Sequence, residues 1–598
     1  MAAGETLPLY PHNARLGILL TFLAASVLSR AQQASPSLRQ ADADYRAGVA
    51  ALAHSDLTAA RADFENVVRL APSAEQGHSA LGSVLVRMGE TAAGIRELEK
   101  ALALKPSDTS AQQNLAIAWE QSGQPAKALP WFARLETASR ADKHSLPAET
   151  LAAWARCLAA TRQFAPAVAK MRQAAAADPR NADWIDQLGT LYAQQQDWAH
   201  AQDAFSAALR LNPELAMAHF HLGVTLDTEQ RAGAIDELSK AYELAPGNPA
   251  IALQFGQTLA ARGNDADAIP VLRRALELNP DSTSAAYQLG LVLQRTDHFD
   301  EAIPLLQKAA ADPANPDALI NLGMALCQAQ RAKDAVPVLE RAVASAPQNP
   351  TAYQNLAAAY IQLSQFDDAV AQLRAALQLT PNAPQLHYNL GLALKMKDDN
   401  TDAIPEFEKA ESLDLSASEP PYALGLLYLQ AGRYADAARE LSTSLRLQPA
   451  NGDGWATLGS VYNHLDQLPE AVAALQEAIR QRPGQPDPYL TYAAVLVKQN
   501  RPAEAASERK KAADLMRANM NRQRAEVSTN SGNDLLRNGK IGDAIVEFRN
   551  ALSFDPGYPE AHLGLADALQ RQGKIAEAAV ERQKAEVLQK QSAQQDHP

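Results

Sequence analysis

Pro350 to Pro381 reads P-T-A-Y-Q-N-L-A-A-A-Y-I-Q-L-S-Q-F-D-D-A-V-A-Q-L-R-A-A-L-Q-L-T-P. Tyr353, Leu356 and Tyr360 fall at i, i+3 and i+7, the spacing that lines one face of a helix. After the polar turn Gln365-Phe366-Asp367-Asp368, a second stripe follows at Ala369, Leu373 and Ala376. Pro381 and Asn382 then stop the second helix. The stretch predicts two antiparallel helices joined by a short turn.

The same pattern recurs along nearly the whole chain. Glycines such as Gly82, Gly189, Gly223, Gly256, Gly290, Gly323, Gly391, Gly425 and Gly459 are spaced by 33 or 34 residues or multiples of these, with small corrections. Sixteen units can be laid out, beginning at Ala41, Glu75, Thr109, Ala148, Ala182, Ala216, Pro249, Thr283, Pro316, Pro350, Pro384, Ser418, Gly452, Pro486, Ala525 and Pro559. The eighth position is always Gly or Ala. The twentieth is Ala except at Gly94, and the twenty-seventh is Ala except at Val67, Leu135 and Ser444, with the sixth unit's alanines, Ala234 and Ala241, each one residue early because that unit is a residue short. Only such small side chains let two helix backbones cross closely. One pair of helices cannot bury both its faces, so the units must stack on their neighbours.

Trp455, Leu458, Gly459, Tyr462, Ala471, Leu475, Ala478 and Pro483 form one nearly complete copy of a known motif, and Ile185, Leu188, Gly189, Tyr192, Ala201, Phe205, Ala208 and Pro213 form another. The pattern closely resembles the tetratricopeptide repeat family. The resemblance implies an all-α solenoid, a right-handed superhelix of antiparallel helix pairs whose first helices line an inner groove.

The expected organisation is a signal peptide over 1–31 and a linker over 32–40. Units 1–3 follow over 41–142, an insertion over 143–147, and units 4–14 over 148–519. A junction at 520–524 precedes units 15–16 over 525–592, and 593–598 form a polar tail. Prolines at Pro130, Pro270, Pro304, Pro337 and Pro405 lie two residues past a conserved small residue. Each must sit near the first turn of a second helix or bend it. Leu16 to Leu28 carries no charge and follows Arg15; Ser29-Arg30-Ala31 then offers a cleavage site. At thirteen residues the run is short for a membrane span and suits an export signal. The expected location is therefore the periplasm or cell surface of a bacterium, with an uncleaved inner-membrane anchor as the alternative.

Composition narrows the functional classes. Hydrophobic residues make up 47% of the 598 residues but aromatics only 6%, as a core built from alanine and leucine requires. The net charge of −13 argues against nucleic acid as the main partner. Two cysteines, Cys157 and Cys327, exclude a disulfide framework. No phosphate-binding loop, dinucleotide fingerprint, zinc-protease or serine-hydrolase motif occurs. His219 and His221 are two apart, so on a helix they point to different faces. The expectation is a chain with no catalytic residues, metal or cofactor, and not an enzyme.

One row of residues stands out from the scaffold. The sixth position of the unit is Asn114, Gln187, His221, Gln254, Gln288, Asn321, Asn355 and Asn389, among others. From the fifth unit to the eleventh every occupant can both donate and accept hydrogen bonds. By family resemblance these side chains form a ladder in the groove, similar to the asparagine ladder in the repeat arm of the O-linked N-acetylglucosamine transferase, which grips peptide amides. Phe220, Tyr287, Ile320, Tyr388, Leu392 and Lys395 flank it. A second candidate is the basic cluster Arg509, Lys510, Lys511, Arg517, Arg522 and Arg524, which could take an acidic partner. The expected function is a non-enzymatic interaction scaffold that binds partner protein or peptide segments along a concave groove. The alternatives are a substrate-recruiting arm for a separate enzyme subunit, such as a glycosyltransferase, or a membrane-tethered envelope assembly or secretion component.

Overall fold

The computed structural model describes residues 36–595 apart from 143 and 314. The expected signal peptide, residues 32–35 of the linker and the last three residues of the tail lie outside the described residues, while linker residues 36–40 prove to open the first helix, Pro36–Ala53. The described chain holds 31 helices and no strand. Sixteen helix pairs would give 32; one fusion, described below, accounts for the difference.

First helices begin where the period places them, for example at Glu75, Ala182, Pro316 and Pro350. The starts are fixed by local chemistry. Asp108, Asn181, Asn248, Ser282 and Asn451 each cap a first helix by accepting a hydrogen bond from a backbone N–H of its first turn. Pro249, Pro316, Pro350, Pro384, Pro486 and Pro559 occupy the opening helical position, where no amide is needed.

The turn inside each unit obeys a rule that the motif does not reveal. The fifteenth residue of all sixteen units has positive φ. Six of these are glycines, such as Gly89 and Gly263, while ten are not, including Arg162, Gln330 and Ser364. A residue with a Cβ is strained there by about 1–2 kcal/mol. Gln330→Gly should therefore raise stability by roughly 0.5–1 kcal/mol, seen as a higher urea midpoint with an unchanged slope. A lowered midpoint would contradict this account of the turn.

Within a unit, the small eighth residue faces the side chain at position 24. A Cβ added to Gly189 would lie 2.6 Å from the Phe205 ring, and one on Gly391 would lie 2.7 Å from Phe407. The exception at position 20 has a clear cause: a Cβ on Gly82 would come within 2.9 Å of the Gly94 carbonyl oxygen, so these two backbones touch. At Gly323 the same overlap is with Leu339. Gly323→Leu should overpack this crossing, at about 1–3 kcal/mol or more. Amide hydrogen exchange should rise in the ninth unit and its neighbours only, because repeats couple mainly to adjacent repeats. A uniform rise throughout the chain would contradict the solenoid.

Between units, one core is shared by adjacent repeats. Val370, Leu373 and Leu377 of the tenth unit pack in the same cluster as Leu386, Leu390 and Ala393 of the eleventh. The described residues fall into two compact segments, units 1–8 ending at Asp312 and units 9–16 beginning after it.

Three details refine the expected organisation. The helix Pro125–Asp142 ends and Ala148 begins the next, which leaves 143–147 as the insertion. Each of the five internal prolines is the sixth residue of its helix, in the second turn and not the first. The junction at 520–524 is no break in the helix. Pro502 to Arg537 is one helix of 36 residues, fusing the second helix of unit 14 to the first of unit 15. Residues 503–531 contain neither glycine nor proline, so nothing stops the helix. No described helix is long and apolar enough to cross a membrane.

Candidate functional site

In eight of the units, position 4 of the first helix anchors the inter-unit turn. His78, His219, His387 and His562 use Nε2 to bond the carbonyls of Pro72, Pro213, Pro381 and Pro556, at 2.9–3.0 Å. Their Nδ1 atoms lie 2.5–2.6 Å from Glu97, Glu237, Glu406 and Glu581. A carbonyl oxygen only accepts, so Nε2 is the donor to the turn. Gln112, Tyr353, Trp455 and Tyr489 donate to the matching proline carbonyls at the same position. Burial raises the Glu97 and Glu581 carboxyls, but Lys100 with His78 and Lys584 with His562 outweigh it and hold them below the usual range. These clamps tie the start of a first helix to the turn before it and to the second helix of its own unit.

The sixth position sits two residues further along the same helix. Asn114, Gln187, Gln254, Gln288, Asn321, Asn355 and Asn389 are all half-buried there. Gln254 reaches Thr258 at 3.5 Å, Asn321 donates to the Asp317 carbonyl at 2.9 Å, and Asn389 accepts from Gln385 at 3.0 Å.

His221 departs from the expected row. It is 2% exposed, and its Nδ1 lies 2.9 Å from the Asp186 carboxylate, which is fully buried. The physical reason is the fifth-position aspartate on the preceding first helix: a buried carboxylate needs a partner, and His221 is the side chain within reach. Phe220 is buried as well, packed with its ring 5.6 Å from that of His221, so it is core and not groove. Ile320 is buried too. Tyr287 and Tyr388 stay half-buried, and Tyr388 packs its ring 5.6 Å from Phe407. His219 and His221 do face different partners, Glu237 and Asp186.

Among the described residues, six buried side-chain polar atoms have no hydrogen-bond partner. Four of them, Gln187 Oε1, Gln194 Oε1, Asn355 Nδ2 and Asn463 Oδ1, lie on first helices at the sixth, twelfth or thirteenth position. Buried polar atoms are rarely left unpaired, and each one calls for an explanation. Gln194 and Asn463 were not foreseen from the sequence, where the twelfth and thirteenth positions show no fixed chemistry.

The basic cluster is partly committed to its own chain. Lys511 pairs with Glu508 at 2.8 Å, Arg522 lies over Tyr558 and Arg524 over Phe554. Cys157 and Cys327 are buried.

Comparison with known proteins agrees with this geometry. Three family models match, one described as TPR repeat at 359–398 and 532–573. Two described as tetratricopeptide repeat match at 79–143, 187–249 and 422–486, and at 226–291 and 295–360. Together these ranges take in more than half of the chain. No curated protein sequence matches it. Among solved structures, the chain is similar to YrrB, described as a TPR protein with an unusual peptide-binding site, at 23% identity and a TM-score of 0.28 over 33% of this chain and 97% of that one. It is also similar to yeast Tom70, at 19% identity and 0.31 over 75% and 98%, and to the Cut9–Hcn1 assembly of APC/C, at 16% and 0.30 over 89% and 96%.

Proposed function

Because the chain is a tetratricopeptide-repeat protein, a fold whose stacked first helices offer an extended surface, we propose that it is a non-enzymatic scaffold that binds extended partner polypeptides along those helices. The observation that carries this is the row of half-buried amide side chains at the sixth position, Asn114, Gln187, Gln254, Gln288, Asn321, Asn355 and Asn389. Each amide offers a donor and an acceptor, and a peptide backbone presents both complements at every residue. Asn114, Gln187, Gln254 and Gln288 belong to units 1–8 and Asn321, Asn355 and Asn389 to units 9–16, so each segment offers its own row. Neutral amides read backbone and not sequence, which suits a scaffold with varied partners.

Panning a random-peptide display library against the full chain tests this. The expected binders are extended peptides whose affinity changes little between about 0.05 and 0.5 M salt, since the contacts are uncharged. Failure to select any binder would overturn the proposal. Affinity that collapses with salt would move the site to the basic cluster around Arg509. The uncharged run Leu16–Leu28 supports export of this scaffold, so the mature protein should begin at Gln32. A mature N-terminal mass that retains Met1 would contradict cleavage.

A further inference from the structure

The fused helix Pro502–Arg537 leaves two faces without the stacking partner that their repeat positions imply. In the tenth and eleventh units, positions 21, 24 and 28 of one second helix share a core with positions 3, 7 and 10 of the next first helix. In units 14 and 15 the corresponding residues are Ala506, Arg509 and Ala513, and Val527, Ser531 and Asp534. All six are exposed. They cannot meet within one chain, because they lie along one side of a single straight element, Ala513 and Val527 being about 21 Å apart at 1.5 Å per residue.

These residues are part of a longer stripe. Ala506, Arg509, Ala513, Met516, Met520, Arg524, Val527, Ser531 and Asp534 are three or four apart in turn, so they share one helix face. Between Ala512 and Ala525 the helix buries no residue. Met516, Met520 and Val527 are 43%, 45% and 65% exposed.

The stripe is complementary to itself when reversed about Met520. Ala513 then faces Val527, Met516 faces Arg524, Arg509 faces Ser531 with Asp534 one turn away, and Ala506 faces Asp534. Small meets large at Ala513 and Val527, and Arg509 lies within one turn of the second copy's Asp534. The tenth and eleventh units hold Leu377 and Leu386 in one core at the matching positions, and here the pair is Ala513 and Val527. A surface that is its own complement under a two-fold rotation is what an isologous dimer requires.

We propose that this helix is a dimer interface: a second copy of the chain lies antiparallel along it with the two-fold axis at Met520. Each copy supplies the stacking partner that the other's fused helix lacks.

Light scattering of the full chain should give twice the mass of the 64.2 kDa chain. Met520→Glu places two carboxylates on the axis and should weaken the dimer at least tenfold, with the helical circular dichroism unchanged. Arg509→Asp and Asp534→Arg should each weaken it, and the two together should restore it. Met520→Cys should form a disulfide-linked dimer under mild oxidation, a readout that does not depend on how Met520→Glu folds. A single-chain mass at up to about 0.1 mM protein would overturn the proposal. So would failure of the Met520→Cys chain to cross-link. Failure of the double charge reversal to restore the dimer would overturn the antiparallel register.

Discussion

Cys157 and Cys327 should react with iodoacetamide at about pH 8 some two to three orders of magnitude more slowly in the folded chain than after unfolding. Burial pushes the Cys157 thiol up to about 12, with the nearby Glu120 charge adding to it. Burial alone pushes Cys327 up to about 11. Only the thiolate reacts. A free cysteine near 8.5 is roughly a quarter ionised at pH 8, against about one part in ten thousand for a group at 12 and one in a thousand at 11. The two thiols report on different segments, one in unit 4 and one in unit 9, so peptide mapping of the label follows each separately. The linkage has a definite sign. Both folded-state values lie above the unfolded one, so the contribution is complete below about 8.5 and is lost as the pH rises further, where only the unfolded thiol ionises. Rapid labelling of either cysteine in the native chain would mean that its repeat is not packed as described.

The architecture was legible because the period repeats sixteen times and its fixed positions have a steric cause. Gly189 against Phe205 and Gly391 against Phe407 leave no room for another side chain, and such constraints appear in sequence as invariance. Two features were not legible for physical reasons. The positive φ at position 15 is held by ten residues other than glycine, since stacking on both sides outweighs a strain of about 1–2 kcal/mol. Turn propensity alone could not reveal it. The fused helix could have been read from the absence of glycine and proline between 503 and 531, but the repeat spacing drew attention to a break there.

The groove was less legible than the scaffold. Position 6 holds amides at a half-buried site in both segments, as residue type suggested. Residue type alone does not say whether a histidine points outward. His221 turned inward because Asp186, at a position that is apolar in neighbouring units such as Phe220 and Leu253, is buried and needs a counterpart. The position-4 clamp was equally hidden. His, Gln, Tyr and Trp look unrelated as a column, yet all four side chains bear an N–H or O–H that reaches the proline carbonyl six residues back.

The measurement that tests the central claim most directly is titration of a selected peptide into the variant Asn321→Ala/Asn355→Ala/Asn389→Ala. The three amides occupy the sixth position of consecutive units within one segment, and all three are half-buried. A neutral hydrogen bond contributes about 0.5–1.5 kcal/mol net, so no single substitution should abolish binding. Loss of all three should weaken it by about 1.5–4.5 kcal/mol, roughly ten- to a thousandfold. Alanine is the best helix former, so helicity should not fall. Calorimetry on the parent and the variant, with circular dichroism on both, supplies the comparison. The account predicts weakened binding at unchanged helicity and unchanged salt dependence. A variant that binds as tightly as the parent would contradict it, and the row would then be no more than a solvated edge of the first helices.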